Sequence, residues 1–382
     1  MDLRYTPEEI AFRDEMRTFF REKIPAEIRR KGAEGHHATP QEMILCQRIM
    51  NQHGLATPNW PVEWGGKDWT PMQRYIYTEE ILSHDVPAPL PFNVHMVGPV
   101  IAFFGTEAQK KHYLPRAANM DDWWCQGFSE PGAGSDLASL KTRAVRDGDH
   151  YVINGQKTWT TLAQYADWCF VLARTDPQAA KPQQGISFIL VDMKAPGITV
   201  RPIQTIDGGH EVNEVFFDDV RVPVENLVGA EGRGFPAIML NFNNERLALA
   251  AGATAYARVA MQEAIEWAQQ RQTFGKRLAD HQVIRHKIAE MARQVNASQA
   301  YLEMTAWRMA QGQSPVADIC LLKVQATQTM EFCAREALQI LGGAGYMRGM
   351  KSERIYREVR VNAIGGGSEE IMRDLAARQM GI

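Results

Sequence analysis

The sequence predicts an α+β chain with segregated elements: helices, then strands, then helices. Three observations carry this. Thr-Pro pairs open stretches of helical apolar spacing in the first third, short β-branched and aromatic runs begin near Trp124, and the strands give way after Gly234 to an Ala-rich helical half. At 382 residues the chain exceeds the size at which one core usually stops growing, so two or three regions are expected.

The first helices are predicted at Thr6-Pro7, Thr39-Pro40 and Thr70-Pro71. Threonine accepts a hydrogen bond from the first-turn amides, and proline suits the first turn because its missing N–H is one of the unpaired donors there. Glu9 and Glu42 stand three residues after their threonines and complete a capping box. Ile10, Met16, Phe19 and Phe20 give the first helix an inward stripe, and Met43, Ile44, Ile49 and Met50 give the second one.

Strands are predicted at Tyr151-Val152-Ile153, Trp168–Leu172, Ile186–Val191 and Val215-Phe216-Phe217, making a small antiparallel β-domain. Asn154-Gly155 reads as a hairpin turn, since both central residues of that turn need positive φ. A long helix then runs from about Pro236 to Arg271, followed by helices near His281–Gln311, Pro315–Leu341 and Ser368–Gln379. Gly342–Gly345 and Gly365–Gly367 interrupt them as tight turns.

The formal charge of -3 is close to balance, with basic and acidic residues interspersed, so no nucleic-acid footprint is present. Five widely spaced cysteines without a Cys-x-x-Cys pair fit buried thiols in a reducing cytosol better than a disulfide frame or a metal site. The start lacks the basic and apolar regions of a secretory signal, and no apolar run is long enough to span a bilayer. A soluble, cytoplasmic protein without a membrane or nucleic-acid partner is expected.

Four segments carry chemistry in fixed order: Phe128-Ser129-Glu130-Pro131-Gly132-Ala133-Gly134-Ser135-Asp136, Asn154–Thr161, Arg271-Gln272-Thr273-Phe274-Gly275-Lys276 and Gln339–Tyr346. The glycine-containing loop can bring backbone amides close to phosphate or another electron-rich ligand. It is no dinucleotide fingerprint, because a helical segment precedes it and no strand-turn-helix unit follows. In segment order and in all four motifs the chain resembles the acyl-CoA dehydrogenases, over essentially its whole length.

The resemblance implies an N-terminal helical domain over residues 1–120, a central β-barrel-like domain over 121–232 and a C-terminal four-helix bundle over 233–382, assembled as a homotetramer. It implies FAD, an acyl-CoA substrate and an electron-transferring flavoprotein as partner. Phe128 and Ser129 match residues that cover the flavin, and Ser135 one near the CoA. Trp159 and Thr161 match the pair packed on the isoalloxazine ring and bonded near its N5. Arg271, Thr273, Phe274, Gln282, Gln339 and Gly343 match residues holding the FAD pyrophosphate and adenosine, partly across a subunit interface. Ser368 and Glu370 border the cofactor in the same comparison, and Asn243, Arg246 and Gly367 the substrate.

The implied reaction removes an α-proton and a β-hydride from an acyl-CoA thioester to give the trans-2-enoyl-CoA. It needs a positioned carboxylate base and donors for the developing enolate oxygen. Many members carry that carboxylate in a Tyr-Glu-Gly-Thr turn, where this chain has Gly365-Gly366-Gly367-Ser368. Members such as the isovaleryl and long-chain types place it on a bundle helix before an arginine. Here the matching segment reads Asn243-Asn244-Glu245-Arg246, which makes Glu245 the candidate base.

The apolar and alanine residues from Leu247 to Ala255 suggest a buried setting that would raise the Glu245 pKa. Glu369 and Glu370, at a helix start, read as structural carboxylates and not as the base. The Gly366 N–H remains as a donor to the thioester oxygen. Replacing Tyr-Glu by Gly365-Gly366 is expected to free room for branched or bulky acyl chains. The competing readings are one subunit of a heteromeric dehydrogenase and a flavin- or acyl-CoA-binding relative without dehydrogenase activity.

Overall fold

The computed structural model describes residues 5–34 and 36–382. The chain forms two compact units, one from residues 1–42, 69–87 and 243–382, the other from 43–68 and 88–242. Both draw on the first third of the sequence.

The first unit is helical. Helices α1 (Pro7–Lys23), α2 (Ala26–Ala33), α3 (Pro40–Gln52) and α4 (Pro71–Ser83) open the chain, α3 continuing into the second unit. Thr6 and Glu9 form the expected capping box, as do Thr39 with Glu42 and Thr70 with Gln73. The inward stripe of α1 is Phe12, Met16 and Phe20, spaced by four residues; Ile10, expected inside, is 40% exposed because two residues before Phe12 is about half a helical turn, close to the opposite face.

The rest of this unit is built on α7 (Gly234–Gln270, from Asn243 onward), α8 (Gln282–Ala310), α9 (Val316–Leu341), α10 (Lys351–Ile364) and α11 (Glu369–Gln379). Ala250, Ala253, Ala257, Ala260, Ala264 and Ala268 make one buried small-residue face on α7. Met291, Val295 and Leu302 of α8, the inner face of α9, and Ile355 and Val359 of α10 share that core, which is the four-helix bundle. Helix α11 packs Met372 and Ala376 on Cys320 and Val324 of α9. Helix α10 was not foreseen, since its charged residues and β-branched Val359 and Val361 mask the helical spacing.

The second unit holds the sheet: β1 (Trp124–Gly127), β2 (Arg143–Asp147), β3 (His150–Thr161), β4 (Trp168–Arg174), β5 (Ile186–Asp192), β6 (Ile198–Ile203), β7 (Val212–Pro223) and β8 (Leu227–Val228). The order is β6-β7-β3-β2-β4-β5-β8, with β1 paired to β4. Most pairs are antiparallel, as expected, but β1 and β2 both pair with β4 in parallel. Helices α5 (Gly98–Phe104) and α6 (Glu107–Ala118) cover one face, where Tyr113 meets Trp124 and Trp168 edge-on.

Asn154-Gly155 is not a hairpin turn. The chain continues through it as β3, and the reversal lies earlier, between β2 and β3, at Gly148 with φ 62°. A register shift against β7 marks a bulge at Ile153/Gly155, and the Asn154 amide reaches across to Asp219 at 2.8 Å. Glycine is required by a close approach: a Cβ on Gly155 would lie 2.4 Å from Thr142 Oγ1 and 2.7 Å from its Cα. Strands also recur after Gly234, as the small hairpin of β9 (Gln272–Thr273) and β10 (Lys276–Arg277). All five cysteines are buried free thiols. Among the described residues no helix is long and apolar enough to cross a membrane.

Candidate active site

In the β unit, the loop after β1 is fastened to β3. Thr158 N–H donates to the Ser129 carbonyl at 2.9 Å, and Lys157 Nζ donates to Phe128 O at 3.0 Å and Glu130 Oε1 at 2.8 Å. Glu130 also accepts from the Lys141 and Thr142 amides at 2.6 and 2.8 Å. Burial opposes charge on both partners, and Lys157 is pushed down to about 8. The Glu130 carboxyl nevertheless stays below its ordinary range, because Lys157 and the amides outweigh its desolvation.

Phe128 is buried against Phe170 and Phe188, so its ring serves the core and its backbone faces the Lys157 ammonium. Glu130 and Ala133 exchange both backbone hydrogen bonds, closing the Pro131-Gly132 turn. Around Gly132 and Gly134 there is open space, and Ser135 is exposed. A groove of about 320 Å³ runs beside the loop, lined by Glu130, Gly132, Lys141, Thr142 and Gln156 among others.

Past Lys157 a second register shift lifts β3 away from β7, and Trp159 takes φ 58°. The kink turns its indole outward, 62% exposed between buried Thr158 and Thr160. A bare aromatic face here, with the Thr161 hydroxyl two residues on, is the chemistry that a flat flavin ring with polar edges requires.

In the helical unit, Arg271, Thr273 and Phe274 stand on the β9–β10 hairpin. Phe274 and Gly275 are its two-residue turn, with φ 50° and 76°. Phe274 projects from the tip with 97% of its surface exposed, while Thr273 Oγ1 meets His281 Nε2 at 3.1 Å beside Gln282. Gln339 and Gly343 are exposed at the end of α9. Exposed guanidinium, amide and hydroxyl groups suit a pyrophosphate and a nucleoside, so the residues present fit FAD.

The structure brings Glu245, Arg246, Gly366 and Gly367 together. The Glu245 Oε1 lies 3.9 Å from the place a Cβ would take on Gly366, so the helix carboxylate faces the position that bears no side chain. Gly366 and Gly367 have φ 68° and 109°, a backbone that L side chains rarely adopt. Arg246 Nε donates to Gly366 O at 3.2 Å. Burial pushes the Glu245 carboxyl up to about 7, against the opposing pull of Arg246 and Lys323. Asn243 is half-buried on the same helix.

The freed room is smaller than the glycines suggest. A Cβ on Gly366 would lie 2.6 Å from Leu249 Cδ1, one helical turn beyond Glu245, so leucine fills that space; at Gly365 only Val361 O is near, at 3.2 Å. Ser368 caps α11 by accepting from Ile371 N–H, and Glu369 is engaged by Gln328 and Arg373. Glu370 is exposed at the same helix start, its carboxyl held low by backbone amide and Ser368 contacts.

Sequence reading missed Lys323. It sits in the apolar run Ile319-Cys320-Leu321-Leu322-Lys323-Val324 of α9, and a lone lysine inside such a run was the available signal. Its Nζ donates to Ala363 O at 3.0 Å and Gly367 O at 2.7 Å.

The acyl-CoA dehydrogenase N-terminal domain matches residues 6–121, the middle domain 125–220 and the C-terminal domain 232–381. The chain is 34% identical to the acyl-CoA dehydrogenase FadE26 of Mycobacterium tuberculosis, over 98% of this chain and 97% of that one. It is 35% identical to FadE29 of the same organism, over 97% and 96%. Among solved structures, an acyl-CoA dehydrogenase from Geobacillus kaustophilus covers 100% of both chains at 31% identity and TM-score 0.88. The Tcur3481-Tcur3483 steroid ACAD covers 100% and 99% at 32% and 0.90, and the ChsE4-ChsE5 complex from Mycobacterium tuberculosis 100% and 99% at 33% and 0.88. The fold, the order of the motifs and these matches agree: the chain belongs to the acyl-CoA dehydrogenase family, oxidoreductases that depend on FAD.

Proposed function

We propose that this enzyme converts an acyl-CoA thioester to the trans-2-enoyl-CoA with Glu245 as the base for the α-proton. The observation that carries the reading is the half-buried Glu245 carboxylate facing the side-chain-free position at Gly366. A carboxylate in water is too weak a base for a thioester α-proton; burial raises its proton affinity toward the working pH, where general-base efficiency is greatest. The Gly366 N–H serves as a donor to the thioester oxygen, where charge develops as the α-proton leaves.

FAD, when bound, supplies the acceptor for the β-hydride at its N5. Trp159 and Thr161 would hold the ring system, with the Phe128-Ser129 backbone segment beside it. Arg271, Thr273, Phe274, Gln282, Gln339 and Gly343 take the pyrophosphate and adenosine, with Ser368 and Glu370 at the border. Ser135, Asn243, Arg246 and Gly367 meet the acyl-CoA. Electrons leave to an electron-transferring flavoprotein, and the assembly is a cytoplasmic homotetramer.

The test is turnover of an acyl-CoA panel with an artificial electron acceptor, comparing wild type with Glu245→Gln. The variant is expected to keep its flavin and lose about 10²–10⁴-fold in kcat. Near-normal turnover with flavin retained rejects the assignment. Branched or bulky chains are expected to be accepted only as far as Leu249 yields, and the same panel reads this out.

A second reading is supported by the similarity to the Tcur3481-Tcur3483 steroid ACAD and the ChsE4-ChsE5 complex, each named for two proteins. This chain would then be one subunit of a heteromeric dehydrogenase. The mass and flavin content of the chain purified alone distinguish the two, since a flavin-loaded homotetramer excludes the need for a dissimilar partner.

A further inference from the structure

We propose that Lys323 is a positioning residue for this reaction: by gripping the Ala363 and Gly367 carbonyls it fixes the glycine turn beside the Glu245 carboxylate, and it supplies a buried positive charge to that carboxylate. The proposal rests on the reading of Glu245 as the base.

Lys323 has no exposed surface, and its Nζ spends two of its three donors on Ala363 O and Gly367 O. Arg246 Nε holds the intervening Gly366 O, so two buried cations from α7 and α9 grip consecutive carbonyls of one turn. A turn of three glycines loses more backbone entropy on ordering than any other sequence would, and Gly366 and Gly367 sit at positive φ. Without the two grips, the Gly366 N–H would not be held in one orientation toward a thioester oxygen.

Capping carbonyls at the end of α10 does not by itself explain a lysine. A neutral donor could do it without the several kcal/mol that burying an ammonium costs. Burial and the neighbouring Arg246 together lower the Lys323 pKa to about 8 against the pull of Glu369 and Glu245, so the site holds two cations that oppose each other. The charged groups facing Lys323 are Glu369 on α11 and Glu245 and Arg246 on α7. Glu369, the stronger pull on Lys323, is also engaged by Gln328 and Arg373, and the Glu245 carboxylate lies within reach of both cations, Arg246 first and Lys323 second. The effect on Glu245 is opposite to that of burial and limits the rise of its pKa.

The experiment compares flavin-loaded wild type, Lys323→Met, Lys323→Gln and Lys323→Arg by the pH profile of kcat/KM, with Glu245→Gln as reference. Loss of the charge is expected to move the acidic limb about one pH unit higher, with kcat down about 10–100-fold. KM for the acyl-CoA should change less than about threefold, and Lys323→Arg should restore most of the limb. Lys323→Gln keeps a donor for the carbonyls without the charge, so it isolates the electrostatic part and stands in should Lys323→Met fail to fold. An unmoved limb with kcat within about twofold of wild type, while Glu245→Gln is inactive, overturns the proposal and leaves Lys323 a structural cap. Active Glu245→Gln overturns the base reading itself, and the proposal with it.

Discussion

The Lys157 ammonium stands 2.8 Å from the Glu130 carboxylate, both buried, and the same nitrogen holds the Phe128 carbonyl at 3.0 Å. The pair joins β3 to the loop after β1 just before the bulge that turns Trp159 outward. Loop and indole are thus set against each other from beneath.

Removing one partner leaves an uncompensated buried charge. Lys157→Met is expected to destabilise the protein by about 3–5 kcal/mol, and pairing it with Glu130→Gln to recover part of that. Thermal and denaturant unfolding of the single and double variants measure this. A single variant as stable as wild type would show that the pair holds nothing.

The pH dependence of turnover follows from Glu245. With its carboxyl pushed up to about 7, kcat/KM should climb as pH rises through that value and level off above it, because the ionised form is the base. In Glu245→Gln the residual rate should lack this limb.

The same carboxyl affects stability. It binds its proton to about 7 in the folded protein against an ordinary 4.5, so the folded state holds a proton that the unfolded chain gives up between those values. Stability from this group is therefore fully present below about pH 4.5 and is lost as pH rises through 7, by roughly 3 kcal/mol. Glu245→Gln should gain stability relative to wild type at pH 8 compared with pH 5, read as the difference in unfolding midpoints.

Phe274 tests the hairpin tip. Asparagine tolerates φ near 50° better than phenylalanine, so Phe274→Asn should preserve the turn and the unfolding midpoint of the flavin-free protein. Flavin affinity should fall roughly tenfold, about 1.4 kcal/mol, through loss of the aromatic contact. Equilibrium titration with FAD checks it.

Gly155→Ala would place a methyl against Thr142 Oγ1 and Cα at 2.4 and 2.7 Å. A loss of about 1–3 kcal/mol is expected, since backbone must move. Circular dichroism and the unfolding midpoint report it.

Much of the architecture was legible because its causes are local. Thr6 with Glu9 caps a helix through bonds three residues apart, and the unbroken apolar runs at Trp168 and Ile186 mark strands buried on both faces. Asn154-Gly155 misled for the opposite reason: the dipeptide allows a turn, but Thr142 and Asp219, distant in sequence, make it a bulge. Ile10 faces outward because the buried row begins at Phe12, a choice made by the ring of Trp69 against which Phe12 packs.

By itself the sequence determined the order of elements, the four chemical segments and the absence of a carboxylate at Gly366, since these depend on residue identity and spacing along the chain. Only the tertiary structure decided that the Glu245 carboxylate faces that position, that Leu249 fills part of the room and that Lys323 and Arg246 clamp the turn. Burial and charge proximity arise when residues 120 positions apart are packed together, and no local pattern encodes those distances.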